Sequence, residues 1–141
     1  TLGIHPHHAA EPAEQTSAAQ LIALAKAHPR VVGIGECGLD YYYEHSPRAE
    51  QIASFEMQLE AALALDLPVI IHSRDADDDT IRILQAAGPQ LKGVMHCFSG
   101  TRRLAEAALG IGFYISLSGI LTFNKSQDLR DIARDVPLDK L

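Results

Sequence analysis

Short apolar runs alternate with longer amphipathic stretches along the chain. Five runs read as strands: Leu2–His5, Val31–Glu36, Val69–His72, Gly93–Cys97 and Phe113–Leu117. Their length and their Val and Ile content suit parallel strands buried on both faces. The stretches between them read as helices. Ser17 is placed to N-cap Ala18–His28, and Pro29 stops that helix. Arg48–Asp66 carries Ile52, Phe55, Leu59, Ala62 and Leu63 at helical spacing. Asp77–Ala87 ends at Gly88-Pro89, and Thr101–Leu109 ends at Gly110. Ser126 is placed to cap Gln127–Asp135, which stops before Pro137.

Strict β/α alternation predicts a parallel α/β fold with right-handed crossovers. No linker or low-complexity tract interrupts it, so residues 1–141 are expected to form a single domain. Two closures fit the alternation: a doubly wound open sheet and a β/α barrel.

Polar residues help to choose. Glu36 ends the second run, His72 the third, His5 the first, and His96 stands near the end of the fourth. Ligand-binding and catalytic groups occupy the carboxyl ends of strands in barrels and in open α/β sheets. Each of three candidates follows an apolar residue two positions earlier: Ile34 before Glu36, Ile70 before His72, Val94 before His96. A period of two puts each pair on one strand face. If the apolar partner points into a barrel, the Glu and His residues converge above it. One carboxylate with two or three imidazoles suits Zn²⁺, Mn²⁺, Fe²⁺ or Mg²⁺, the last preferring oxygen.

Gly33, Gly35 and Gly38 show the G-x-G-x-x-G spacing of a dinucleotide turn. Context argues against that reading. Glu36 would face the pyrophosphate, and "LDYYYEHSP" reads as a loop where a helix N-terminus should follow.

Composition sets limits. The net charge of −6 rules out a broad basic face, so a nucleic-acid role needs a local site. The two cysteines form no CxxC pair, which fits a reducing compartment and a cytoplasmic location. No apolar run approaches the ~18 residues of a membrane span. No obligate protein partner is evident. The chain opens at Thr1 with "TLGIHPH", which reads as a strand entered midway and suggests a fragment.

Bland readings stand beside these. A single strand-end His is commonly a hydrogen-bonded structural residue. Cys37 and Cys97 each follow a candidate ligand, and alternation turns them the other way, as small packing residues. The acidic run Asp75, Asp77, Asp78 and Asp79 reads as favourable charge at a helix N-terminus, because the glycine spacing of a calcium loop is absent. Tyr41, Tyr42 and Tyr43 could stack on bases or form an aromatic lid.

The segments "GIHPHH", "GECGLDYYYE", "PVIIHSRDA", "MHCFSG" and "GFYISLSGILTF" together resemble the successive signatures of the TatD-type metal-dependent deoxyribonucleases. The resemblance spans the whole chain. It implies a TIM-type barrel of the amidohydrolase-like group. It also implies a centre of divalent metal ions, two of Mg, Mn or Zn, and hydrolysis of DNA, commonly 3′ to 5′. Carried over residue by residue, Glu36, His72 and His96 are metal ligands, with Glu36 in a catalytic role. His5 lies close to the site and contacts substrate phosphate. Arg74 shares the strand parity of His72; it reaches the phosphate or pairs with Asp75 or another rim acid. Two family features are missing: an initial H-x-H strand and a late Asp in an "ETDSPYL"-like motif. His5-Pro6-His7 belongs to the GIHP motif and does not replace the first. The chain is therefore expected to be about five β/α units of eight, with strands missing before Thr1 and after Leu141. Three function classes stay open: a DNA-cleaving metallohydrolase, an amidohydrolase-type enzyme acting on an amide or lactone, and a non-catalytic fragment lacking essential ligands.

Overall fold

A computed structural model describes all 141 residues. Four parallel strands pair in chain order: β1 (Ile34–Asp40), β2 (Val69–Arg74), β3 (Gly93–Met95) and β4 (Tyr114–Ile115). Helix α1 (Ala18–Ala27) precedes β1. Helices α2 (Arg48–Leu65), α3 (Asp77–Ala87) and α4 (Arg102–Gly110) form the crossovers, and α5 (Gln127–Asp135) follows β4. Sequential strand order without a switch point is the order of a β/α barrel, and a doubly wound sheet would reverse. The arc is a partial barrel.

The Leu2–His5 run does not become a full strand. It touches the sheet through a single bridge, Leu2 to Ile34. Two residues on, Ile4 turns elsewhere. Ile4 N–H donates to Gln58 Oε1 at 2.8 Å, and Gln58 Nε2 donates to Ile4 C=O at 2.9 Å. A side-chain amide replaces a neighbouring strand.

Strand β1 also starts later and runs further than the apolar pattern suggests. The stretch through Gly38 and Asp40 is strand, paired residue by residue with His72, Ser73 and Arg74 of β2. Gly38 answers a packing demand. A Cβ there would lie 1.9 Å from His72 O, and its φ is +133°. The glycine spacing therefore reflects close strand contact.

Paired residues of a parallel sheet share a face. Ile34, Val69 and Gly93 form one row, and Cys37, Ile71, Met95 and Ile115 form another. Both rows are buried and join Phe55, Leu59, Ile83, Leu84, Leu104 and Phe113 in a 25-residue core under the helices. Ile34 thus faces the helices, and strict alternation would carry Glu36 outward with it. A bulge between Gly35 and Cys37 intervenes. Glu36 is the extra, unpaired residue, re-aimed to the inner face.

Helix α2 departs from its predicted stripe in two places. Leu63 is exposed, while Gln51 and Gln58 are fully buried beside Phe55 and Leu59. Ser17 caps α1 as expected, in a reciprocal box with Gln20. Ser126 precedes α5 but makes no side-chain cap bond. No helix is long and apolar enough to cross a membrane.

Candidate metal centre

Neighbouring strands each deliver one group, although β1 and β2 run past Glu36 and His72, to Asp40 and Arg74, instead of ending there as the apolar runs suggested. The bulge within β1 presents Glu36, its neighbour β2 presents His72 two residues before its end, and the residue after β3 is His96. His5 precedes a 3-10 turn, Pro6–His8, where Pro fixes the first turn position. His72 Nδ1 lies 3.1 Å from Glu36 Oε1. His5 Nε2 is 3.8 Å from the same oxygen, and His96 Nε2 is 4.0 Å from Glu36 Oε2. His96 is the most exposed of the four. One ligand atom each from His5, Glu36 and His72 falls within 4.8 Å of the others.

This donor set fits a divalent cation. Nitrogen and carboxylate donors converge at a half-buried spot, open on one side. Electrostatics agree. Glu36 is held below the usual carboxylate range by its bond from His72, against the opposing effect of burial, with help from His96 and His5. Burial pushes His72 down, but its bonds to Glu36 and Asp40 override this and raise it. His5 is lowered to about 4, first by burial and then by His72. It is neutral near pH 7. Its Nδ1 accepts the His7 main-chain N–H at 3.2 Å, so its proton sits on Nε2.

Asp40 escaped the sequence reading, as did the place of His7 beside it. Asp40, read as part of a loop, is wholly buried at the end of β1. Its Oδ2 lies 2.9 Å from both His72 Nε2 and His7 Nε2. Its Oδ1 accepts the main-chain N–H groups of Tyr42 at 3.1 Å and Tyr43 at 2.8 Å. Burial alone would raise this carboxyl; the Tyr43 N–H and the two imidazoles instead hold it at about 2. The available signal was parity, since Gly38 and Asp40 share the inner face of β1 with their partners His72 and Arg74.

Arg74 forms no pair with Asp75. Its guanidinium lies over Tyr42, 4.1 Å from the ring centroid, and 4.9 Å from that of Tyr43. Tyr43 also stacks on His45, centroids 5.5 Å apart and planes 5° from parallel. Tyr41 separates from its neighbours: its hydroxyl donates to Asp79 at 2.8 Å, and Arg48 covers its ring. The acidic run serves the first turn of α3 and its ties, with Asp77 binding Thr101 and Asp78 pairing with Arg103. Cys37 is buried as expected. Cys97 does not turn away, because its φ of 45° brings Sγ to 3.3 Å from His96 Nε2.

The family model described as TatD related DNase matches residues 1–141. The chain is 37% identical over 141 residues to the uncharacterized metal-dependent hydrolase YabD of Bacillus subtilis, covering 99% of this chain and 54% of that protein. It is 43% identical over 143 residues to the 3'-5' ssDNA/RNA exonuclease TatD of Erwinia tasmaniensis, covering 100% and 54%. Among solved structures, the TatD homolog YJJV of Escherichia coli superposes with a TM-score of 0.85 at 32% identity, covering 100% of this chain and 54% of that one. The chain thus spans about half the length of these relatives.

Proposed function

This chain belongs to the TatD related DNase family, and from that premise we propose that its protein is a divalent-metal-dependent hydrolase of DNA phosphodiester bonds, working 3′ to 5′. The observation that carries the reading is the convergence of Glu36, His72, His96 and His5 on one side of neighbouring strands and their connections. In this reading residues 1–141 are the central portion of one barrel domain, and the free cysteines suit a cytoplasmic enzyme.

Glu36, His72 and His96 would hold the metal, with Glu36 placed to serve two ions of Mg, Mn or Zn. A bound ion would lower the pKa of water and offset charge on the phosphoryl oxygens. The chain's own groups do the rest. Neutral His5 offers its Nε2–H to a phosphate oxygen without adding a like charge beside His72. Arg74, its guanidinium over Tyr42 and Tyr43, keeps its N–H donors for the phosphate backbone. Half-exposed Tyr42 and Tyr43 offer ring surface to a base. Such local contacts are needed in a chain of net charge −6.

The test uses the full-length protein with single-stranded oligonucleotides labelled at either end. Mononucleotide release from the 3′ end, restored by Mg²⁺ or Mn²⁺ after chelation, is expected. Intact DNA alongside hydrolysis of a lactone or amide would overturn the reading.

A further inference from the structure

We propose that Asp40 is a positioning residue that fixes the tautomer of His72, so that Nδ1 is the atom His72 offers to the metal; this rests on the metal-centre reading above. The carboxylate has no freedom to turn. Its side chain is buried, and its own main chain is held by Gln51, with N–H to Oε1 at 2.7 Å and C=O to Nε2 at 3.1 Å. Oδ1 is occupied by the N–H groups of Tyr42 and Tyr43, which leaves Oδ2 for the two imidazoles at 2.9 Å.

An ionised carboxylate only accepts hydrogen bonds. Both Nε2 atoms must therefore carry hydrogen. For neutral His72 this leaves the lone pair on Nδ1, the nitrogen that lies 3.1 Å from Glu36. Two acceptors that close need a cation between them: the Nδ1 proton when His72 is charged, as in its raised state beside Glu36, and the metal in its place when the ion is bound. His7 Nε2 shares the same oxygen and braces it. A carboxylate behind a metal-binding histidine sets ring orientation and tautomer in this way.

Asp40→Asn separates shape from charge. The Asn oxygen must stay with the Tyr42 and Tyr43 N–H groups, because an NH₂ there would face two donors. The NH₂ then points at His72 Nε2 and demands an acceptor. The proton moves to Nδ1, onto the ligand atom.

The experiment uses full-length protein with ¹⁵N-labelled histidine, metal-free and at a pH where His72 is neutral. Long-range ¹H–¹⁵N spectra assign its tautomer, with a His72→Gln sample identifying the signal. Wild type should show Nε2–H and Asp40→Asn should show Nδ1–H. Zn²⁺ affinity, read by competition with a chromophoric chelator, should fall about 10- to 100-fold in Asp40→Asn. A wild-type Nδ1–H tautomer overturns the proposal even if the variant fails to fold. Unchanged Zn²⁺ affinity in a folded Asp40→Asn overturns it too. So does the loss of one whole Zn²⁺ equivalent at otherwise unaltered affinity, which would make Asp40 a ligand. The tautomer is read without metal or substrate, so absence of nuclease activity would sink the proposed function and leave this inference standing.

Discussion

Gln51 binds the main chain of Asp40 in both directions, taking its N–H at 2.7 Å and donating to its C=O at 3.1 Å. The same amide also donates to Ser46 C=O at 2.8 Å. One helical side chain thus closes the end of β1 and the loop after it. Seven residues on, Gln58 does the same for Ile4. Two turns of α2 fix the segments that carry Asp40 and His5. Gln51→Leu would leave these buried main-chain groups unpaired, at roughly 1–3 kcal/mol each. A loss of about 3 kcal/mol in denaturant unfolding of the full-length protein is expected, with weaker metal binding. Wild-type stability in Gln51→Leu would show that the amide is dispensable.

The close approach of β1 and β2 at Gly38 sets a second expectation. Any side chain there meets His72 C=O, at a residue proposed as a metal ligand. Gly38→Ala should cost several kcal/mol or prevent folding. Gly110, at the end of α4, has open space around its Cβ position and no positive φ. Gly110→Ala should be neutral or stabilise by up to about 1 kcal/mol. Thermal unfolding of the pair reads the contrast directly, and similar midpoints would refute the packing role of Gly38.

The apolar runs made the layered α/β class, most helix bounds and the placement of His96 just after its strand legible, while β2 runs two residues past His72. They did so because buried parallel strands must be apolar on both faces. Three features resisted. Glu36 reaches the site through a bulge, and a bulge breaks the very period used to read a strand. Asp40 lies in a strand whose inner positions are Gly38 and Asp40, so nothing apolar marks it. Gln51 and Gln58 are polar positions on a helix, ordinarily a sign of solvent. Here they are buried because nearby main chain, with no strand beside it, needs donors and acceptors.

Glu36, His72 and His96 should behave as one unit. Each single change to Ala in the full-length protein should sharply reduce divalent-metal occupancy and phosphodiesterase activity while leaving the fold near intact. Double variants should be little worse than singles. Metal content by elemental analysis and rates on labelled DNA give the answer. Full activity in all three singles would remove these residues from the site.

The cysteines differ in reactivity for a structural reason. Burial pushes the Cys37 thiol up to about 12, with the Glu36 charge adding to it. Its Sγ–H also donates to Ile70 C=O. Cys97 is half-buried at the rim beside His96. Iodoacetamide labelling at pH 8 followed by peptide mapping should modify Cys97 well before Cys37. Added Zn²⁺ should slow the Cys97 reaction by drawing His96 to the ion and crowding the thiol. Equal labelling of both cysteines in the native protein would contradict the packing of β1.

The last expectation concerns acid. Asp40 has an ordinary value near 3.8 and is held at about 2 in the fold. A carboxyl depressed by folding contributes stability that is fully present above its unfolded pKa and is lost as pH falls through the folded one. The window is therefore pH 4 down to 2. The contribution is on the order of 2 kcal/mol, from a shift of nearly two units at about 1.4 kcal/mol per unit. His5 adds an earlier loss. Its folded pKa is about 4 against an ordinary 6.5, so the neutral form favoured by folding gives stability above pH 6.5 that is eroded as pH falls toward 4. His72 has the opposite sign: raised in the fold, it stabilises below its ordinary pKa and loses that contribution as pH rises through the folded value. The metal-free protein should therefore weaken on both sides of a mildly acidic optimum, His5 eroding stability from pH 6.5 toward 4 and Asp40 from pH 4 toward 2. Asp40→Asn carries no titrating carboxyl at this position. Its acid limb between pH 4 and 2 should be flatter than that of wild type in denaturant titrations at fixed ionic strength. Parallel acid limbs would mean that Asp40 is not held ionised by the histidines and main-chain N–H groups around it.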